Sequence, residues 1–322
     1  MKILALTFGD ENCASSYYRI LQFRDLLRDI GIQLTDFPAK EFDDFDSIKN
    51  FDCVFLQKTI LSTSKVRRIA KSAKRLIYDA DDRMWLSPFK KHSFITQMRI
   101  NYRMRNIAKL SSLCTVANET IAEDIRMFGG KPRVVPMTLD ANIWYPEKKE
   151  NEQIIIGWTG APHNLPYLEE IIPALKEVLD THESTKLVIH CGKKPNFTDI
   201  DYEYIPYVPG EEPKIVRSFD IGLLPLPNDP FSNGKSPIKA LQYKATSSPI
   251  VCSDTPATRK LVRNEDFANY SNNQSTWSDN LNFLIKDSAY RNKISLSAKS
   301  YFLHHHSSTM GCRQLIHLFK KV

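Results

Sequence analysis

Four short stretches of the chain combine glycine, hydroxyl, carboxylate and amine groups at spacings that chemistry can use. The fullest is Pro225-Leu226-Pro227-Asn228-Asp229-Pro230-Phe231-Ser232-Asn233-Gly234-Lys235-Ser236-Pro237-Ile238-Lys239. A Gly-Lys-Ser run between a strand and a helix, with Pro237 suited to the first helical position, offers backbone N–H groups and Lys235 to an anion. It is not a Walker A loop, which needs a further upstream glycine at fixed spacing; position 229 is Asp. Gly157-Trp158-Thr159-Gly160-Ala161-Pro162-His163-Asn164 carries two glycines that would let backbone amides approach a phosphate, a weak signal by itself. Tyr78-Asp79-Ala80-Asp81-Asp82 sets carboxylates directly after an apolar run. Hard oxygen ligands suit Mg²⁺ or Mn²⁺ carrying a nucleotide diphosphate, but such residues also meet substrate hydroxyls or fill turns. Nothing nearby supplies a further ligand, so no bound metal is expected. The fourth stretch, Thr7-Phe8-Gly9-Asp10-Glu11-Asn12 through Ser15, puts Ser15 or Ser16 at a helix start with Arg19 in the first turn, which simple capping also explains.

Cysteine and histidine add little. The six cysteines stand singly and form no C-x-x-C, so neither a zinc site nor a redox motif is expected and a reducing cytoplasm is the simplest home. His304-His305-His306 cannot aim three rings at one metal from consecutive helical positions, and reads as helix surface and packing.

The elements that must position these loops repeat in one rhythm: short apolar strand, turn, amphipathic helix. Strands are expected at Ile3–Leu6, Ile32–Phe37, Cys53–Leu56, Leu76–Tyr78 and Leu113–Val116, with helices over Ser15–Ile30, Thr63–Ala73 and Asn118–Met127. The opening apolar run soon meets Asp10 and Glu11 and has no small-residue cleavage site, so a buried first strand is expected in place of a signal peptide. Pro146 to Gln153 is polar and charged and reads as a linker. The rhythm then restarts, with strands at Ile154–Ile156, Leu187–Ile189, Asp220–Leu224 and Pro249–Val251 and helices over Leu165–Leu179 and Ser236–Ala245; beyond Ser275 the chain is mostly helical. Such alternation implies parallel sheets covered on both faces, hence an α/β protein of two Rossmann-like domains. The boundaries expected are 1–147 and 148–305, with a final helix over 306–322 packing back on the first domain.

The 322 residues, 42% hydrophobic and 25% charged, exclude a disordered chain, and no apolar run reaches the length of a membrane-spanning helix. Net charge is +7, unevenly placed. Lys58 to Lys109 holds fourteen cations against three acids, an excess larger than that of the whole chain, so the remainder is net acidic. A single basic region is the footprint of an anionic partner. It lacks regularly interleaved aromatics and any nucleic-acid motif, so nucleic acid is not expected. Residues 85–109 mix Trp85, Phe94, Ile95, Met98 and Tyr102 with cations, which suits either an anionic membrane surface or a core-facing helix with a basic outer face.

Asp220 to Asp254, D-I-G-L-L-P-L-P-N-D-P-F-S-N-G-K-S-P-I-K-A-L-Q-Y-K-A-T-S-S-P-I-V-C-S-D, closely resembles the donor-site segment of family 4 glycosyltransferases, whose fold is GT-B. Gly157 to Gly160 resembles that family's second-domain opening loop, Thr115 to Asp140 its interdomain stretch, and Tyr78 to Asp82 the Y-D-x-D-D of some members. Tyr207-Val208-Pro209-Gly210 resembles the segment preceding the helix that borders the nucleobase. The likeness spans most of the chain, but only 220–254 is specific.

The resemblance implies two Rossmann-like domains facing across a cleft, and transfer of a sugar, with retention, from a nucleotide-sugar to a glycan, lipid-linked or other cell-envelope acceptor. It implies no metal and no cofactor beyond the nucleotide-sugar substrate, and a cytoplasmic enzyme, peripheral on the inner membrane face if the basic region docks there. It assigns the diphosphate or donor sugar to Lys235, Ser236 and Lys239, and the ribose to Gln242. Gly160, Tyr207, Val208 and Gly234 border the nucleotide, and Asp79 and Asp82 face acceptor or donor hydroxyls. Two departures stand out: the family's paired glutamates fall on Gly234 and Gln242, and its Gly before the Pro-Val-Val run on Ser247. They leave open an inactive glycosyltransferase-like partner protein. A nucleotide-sugar epimerase is the other alternative; it would need acid–base residues near the sugar, and His163 is the attractive loop histidine. On the glycosyltransferase reading Gln242→Glu would preserve or strengthen donor binding.

Overall fold

A computed structural model describes residues 1–87, 92–147, 152–262 and 268–321. Two all-parallel six-stranded sheets organise the chain. The first contains β1 (Lys2–Thr7), β2 (Gln33–Pro38), β3 (Cys53–Gln57), β4 (Leu76–Ala80), β5 (Leu113–Val116) and β6 (Pro132–Val134), in the order β2-β1-β3-β4-β5-β6. β3, β4 and β5 are buried along their whole length, which is why they read as unbroken apolar runs: a parallel sheet covered on both faces has no solvent side. The helices are α1 (Ala14–Arg19), α2 (Arg24–Arg28), α3 (Thr63–Ser72), α4 (Phe94–Leu110) and α5 (Glu119–Met127). Ser62, Ser93 and Asn118 cap the last three, each side chain accepting a backbone N–H.

The second sheet contains β7 (Ile154–Gly160), β8 (Thr185–Cys191), β9 (Glu203–Pro206), β10 (Ile221–Leu224), β11 (Ile250–Ser253) and β12 (Ala268–Ser271), in the order β12-β11-β10-β7-β8-β9. Counted from β7, this is the 3-2-1-4-5-6 order of a dinucleotide-binding fold, whose ligand sites lie at the carboxyl ends of the strands where the order reverses, here β7 and β10. The first sheet reverses at β1 and β3. Helices α6 (Leu165–Glu169), α7 (Ile172–Thr181), α8 (Glu212–Arg217), α9 (Ile238–Ala245), α10 (Pro256–Val262), α11 (Gln274–Lys286), α12 (Ser288–His305) and α13 (Ser308–Lys321) complete the chain.

Two compact units result: Met1–Thr138 with Pro230–Ser236 and Ser307–Val322, and Leu139–Asp229 with Pro237–His306. The core of the first unit gathers Ile3, Ile20, Leu27, Phe55 and Ile77 with Cys312, Leu315 and Phe319 of α13. Phe319 meets Phe55 edge-on with ring centroids 6.0 Å apart. The core of the second gathers Trp158, Leu168, Leu175, Ile189, Leu223, Trp277 and Leu281.

Two expected helices are interrupted. Ser15–Ile30 breaks at Ile20, which leaves the helical region (φ −149°, ψ −41°) just after Arg19 turns inward. Leu165–Leu179 breaks between Glu169 and Ile172, where Pro173 removes a backbone donor and crowds the carbonyl four residues back. The expected linker partly lies outside the described residues, at 148–151. Among the described residues no helix is long and apolar enough to cross a membrane.

Candidate functional site

In the first unit a buried polar network forms where the sheet order reverses. Gln57, the last residue of β3, accepts from Phe8 N (2.9 Å) through Oε1 and donates to Ser15 Oγ (3.0 Å). Ser16 Oγ accepts from Gly9 N (3.1 Å), so the loop after β1 is tied to the start of α1. The next residue, Lys58, adopts the left-handed region (φ +59°), uncommon for a side chain of its size. There its ammonium reaches Asp82 (2.7 Å) and Asp81 (3.2 Å). Burial works against the Lys58 charge, but the two carboxylates outweigh it and raise its pKa. Asp81, 6% exposed, also accepts from Ser15 Oγ. Burial opposes its charge; Lys58, the Ser15 hydroxyl and Arg19 prevail and lower its pKa.

Asp79, expected to face a hydroxyl, is wholly buried. Arg19 grips it with Nη2 (2.5 Å) and Nε (3.0 Å), Thr115 Oγ1 donates to it (2.6 Å), and Arg19 Nη1 also donates to Val135 O (2.7 Å). Asp79 lies inside β4, buried along its whole length, whereas Asp81 and Asp82 follow the strand's end at Ala80 and stand in the loop. Asp79 therefore holds neighbouring elements together and does not present itself to a ligand. Among the described residues no group of three or more His, Cys, Asp or Glu is arranged to hold a metal.

The Gly-Lys-Ser loop docks within this same unit. Asn118, the cap of α5, donates through Nδ2 to Gly234 O (2.9 Å) and Ser236 Oγ (2.8 Å). Arg83 donates to Pro230 O (2.6 Å) and is itself clamped by Asp124 at 2.7 and 2.8 Å. A Cβ on Gly234 would meet Arg83 Cδ at 2.3 Å, so packing against Arg83 excludes a side chain there. The backbone N–H groups of Gly234 and Lys235 donate to Phe231 O and Ser232 O at 3.0 Å each. They are thereby spent inside the turn, and not offered to an anion as the sequence implies. The Lys235 ammonium, 5.5 Å over the Phe231 ring, carries the loop's charge.

The second unit gathers a different set at the ends of β7 and β8. Thr159 Oγ1 lies 3.0 Å from His190 Nδ1 and donates to Glu212 Oε1 (3.3 Å). Glu212, from the first turn of α8, borders Lys239 and Gln242 of α9, and Tyr243 of α9 donates to Leu223 O (3.1 Å). Burial raises the Glu212 pKa against the pull of Lys239, Gln242 and Thr159, and lowers that of Lys239 against the pull of Glu212. Burial and Lys239 lower His190 to about 4, so its ring is neutral near pH 7. His190 and Gln242 are each 1% exposed; among the described residues His190 Nε2 and the two Gln242 amide atoms make no hydrogen bond of normal geometry, though the Gln242 amide acts on the Glu212 carboxyl. Buried ring nitrogens rarely go unpaired, and His190 Nε2 retains hydrogen-bonding capacity beside a Gln242 amide whose neighbour is the Glu212 carboxyl.

Of the residues expected from sequence, Lys239 and Gln242 join this cluster and Tyr207 flanks it, its ring 5.6 Å from that of His190. Val208 is exposed beside it. Gly160 has a packing reason: a Cβ would strike Trp158 Cζ2 at 2.3 Å. Gly234, Lys235 and Ser236 group with the first unit, beside Asn118. Thr159, His190, Glu212 and Lys58 were not singled out in sequence as site residues. His190 sits inside an apolar strand and Glu212 resembles any charged helical residue, so only the topology reveals them. His163 is exposed in the turn Pro162–Asn164. Ser247 takes the left-handed conformation (φ +59°) at the end of α9, with Ser248 N bonded back to Tyr243 O (2.8 Å), the geometry in which glycine is usual.

No protein-family model matches the sequence. No curated protein sequence matches it. Solved structures do match in fold. Sucrose-phosphate synthase from Thermosynechococcus elongatus superposes with a TM-score of 0.74 at 10% identity, covering 99% of this chain and 98% of that one. HepE from Anabaena in complex with UDP gives 0.73 at 14% identity, covering 100% of each chain. A putative UDP-N-acetylglucosamine 2-epimerase from Listeria monocytogenes gives 0.65 at 12% identity, covering 99% and 95%. With the two parallel sheets, these matches show the fold to be GT-B, two Rossmann-like domains.

Proposed function

We propose that this chain is a glycosyltransferase that takes its sugar from a nucleotide-sugar donor, with the cluster of Thr159, His190, Glu212, Lys239 and Gln242 as donor site. The observation that carries this reading is the buried polar cluster at the switch point of the second sheet, in which His190 Nε2 has no partner among the described residues. A ribose or sugar ring brings the hydroxyl groups that Gln242 and His190 Nε2 can bond, and Lys239 brings positive charge for a diphosphate. The HepE structures in complex with UDP and with UDP-glucose support a uridine diphosphate sugar.

On this reading the bond from the anomeric carbon to the diphosphate breaks while an acceptor oxygen bonds to that carbon. Lys235 and Lys239 stabilise the charge that gathers on the leaving diphosphate, and Gln242 holds the ribose. Glu212 supplies the carboxylate that the resemblance leads one to seek at Gln242. Tyr207 and Val208 border the base. Asp82, with Asp81 and Lys58 fixed beside it, meets the acceptor, and Asp79 acts only by positioning Arg19. Retention at the anomeric carbon and activity without a metal ion belong to the same proposal, as do a glycan or lipid-linked acceptor from the cell envelope and a cytoplasmic setting.

A panel of radiolabelled nucleotide-sugars, added with membrane extract as acceptor source, tests this. Transfer of label from one donor, undiminished by excess EDTA, is the expected result; loss of activity that Mn²⁺ alone restores would overturn metal independence. The Listeria likeness favours a second reading, epimerisation of the nucleotide-sugar itself. It predicts an altered free nucleotide-sugar without acceptor, whereas an inactive partner protein predicts neither product.

A further inference from the structure

The surface that the site does not account for lies on α4. Ser93 caps this helix, accepting from Thr96 N at 3.3 Å, and Met104, Ile107 and Ala108 bury its inner face. The outer face carries Phe94, Ile95, Met98 and Tyr102, exposed by 78, 70, 57 and 55%. At about 100° per residue these four side chains share an arc of roughly a quarter of the helix circumference. Arg105 and Lys109 continue that arc toward the C-terminus, and Arg99 borders it. α3 runs alongside, joined by Arg67 Nη2 to Asn106 Oδ1 (3.4 Å), and exposes Arg67, Arg68 and Lys71. No carboxylate occurs in the sequence between Asp82 and Glu119.

Single exposed apolar residues are ordinary, but a contiguous aromatic and aliphatic set rimmed by cations marks an interaction surface. Its occupant must accept both features. A second copy meeting this face would set cations against cations with no carboxylate on α4 to pair them. A nucleic acid would use the cations and leave Phe94, Ile95 and Met98 in water. An anionic bilayer takes the apolar side chains into its headgroup–acyl boundary and pairs its phosphates with the cations. We propose that α4, with α3 beside it, lies on the surface of a membrane rich in anionic phospholipid. The proposal rests on Phe94–Leu110 and Thr63–Ser72; residues 88–91 of the stretch read from sequence lie outside the described residues. It goes beyond the sugar-transfer reading and stands without it.

Sedimentation of the full chain with vesicles tests this, comparing phosphatidylcholine alone with phosphatidylcholine containing about one-third phosphatidylglycerol. The expected result is binding roughly tenfold or more tighter to the anionic vesicles, weakening as salt is raised. Phe94→Ser combined with Met98→Ser should reduce that binding about tenfold or more with an unchanged melting temperature, because both side chains are exposed. Arg105→Glu with Lys109→Glu should abolish the preference for anionic lipid, and Tyr102→Ser alone should weaken binding if the double variants fold poorly. Equal sedimentation with neutral and anionic vesicles would overturn the proposal, as would variants that bind like the wild type. So would a concentration-dependent dimer that the Phe94 and Met98 substitutions dissolve, or RNA binding in the absence of vesicle binding.

Discussion

The two buried polar clusters, one in each unit, are built differently. In the first, Arg19 is locked to Asp79, Lys58 to Asp81 and Asp82, and Arg83 to Asp124, at distances of 2.5 to 3.2 Å. In the second, burial draws Glu212 and Lys239 each toward its neutral form, His190 is held neutral, and Gln242 makes no hydrogen bond of normal geometry. Charges paired with one another set loop positions and leave little capacity for a ligand. A buried polar atom left without a partner, as His190 Nε2 is among the described residues, costs stability that a hydroxyl-bearing ligand can recover. The difference separates a charge-paired frame from the cluster proposed as the donor site.

Breaking the frame should have the largest effect. Arg19→Leu or Asp79→Leu alone leaves a buried charge unpaired and is expected to cost about 3–5 kcal/mol in urea denaturation. Combining them should restore much of the loss, because the desolvation penalty disappears with both charges. A double variant no more stable than the worse single one would show that the pair does more than neutralise itself.

The second cluster should reveal itself through pH. His190 titrates at about 4 when folded, below the ordinary histidine value of 6.5. Between those values the unfolded chain binds more protons than the folded one, so stability is complete above about pH 6.5 and falls as pH drops toward 4. The full contribution is at most about 3 kcal/mol. His190→Asn should flatten the melting temperature across that window; an unchanged slope would mean that the ring is not buried as described.

A smaller effect is expected on catalysis. If the proposed sugar transfer holds, Lys235→Ala should lower kcat about tenfold to a hundredfold, because the leaving diphosphate would lose a nearby charge that matters most in the transition state. If kcat and nucleotide affinity are both unchanged, Lys235 has no part in the reaction. The smallest effect concerns Ser247, whose left-handed backbone favours glycine. Ser247→Gly should stabilise the chain by about 0.5–1 kcal/mol in thermal or urea unfolding. No gain there would mean that the serine has compensating contacts.

The sheets were legible because parallel strands buried on both faces leave unbroken apolar runs such as Cys53-Val54-Phe55-Leu56. The short β6 and β9 were not, since Pro132-Arg133-Val134 and Glu203–Pro206 carry no such run and are partly exposed. The kink at Ile20 has no Pro or Gly to announce it, whereas Pro173 does announce the one before α7. Lys239 and Gln242 are reached through the resemblance of 220–254 to the donor-site segment of family 4 glycosyltransferases. Their neighbours Thr159, His190 and Glu212 come from three other elements, and the buried pair Arg19–Asp79 joins residues 60 positions apart. Proximity of that kind is a property of strand order, not of local spacing. Glu212 also alters an expectation: beside its carboxyl, Gln242→Glu would set like charges together in a buried site, and should weaken donor binding where the sequence alone implied the opposite.

Isothermal titration of UDP and UDP-glucose into the wild-type chain and into Gln242→Ala tests the pocket most directly. The account predicts saturable binding to the wild type, weakened about tenfold in Gln242→Ala measured well below that variant's melting temperature, as expected for losing one or two hydrogen bonds. Equal affinity in the two proteins, or no binding of any nucleoside diphosphate or its sugar to the wild type, would contradict it.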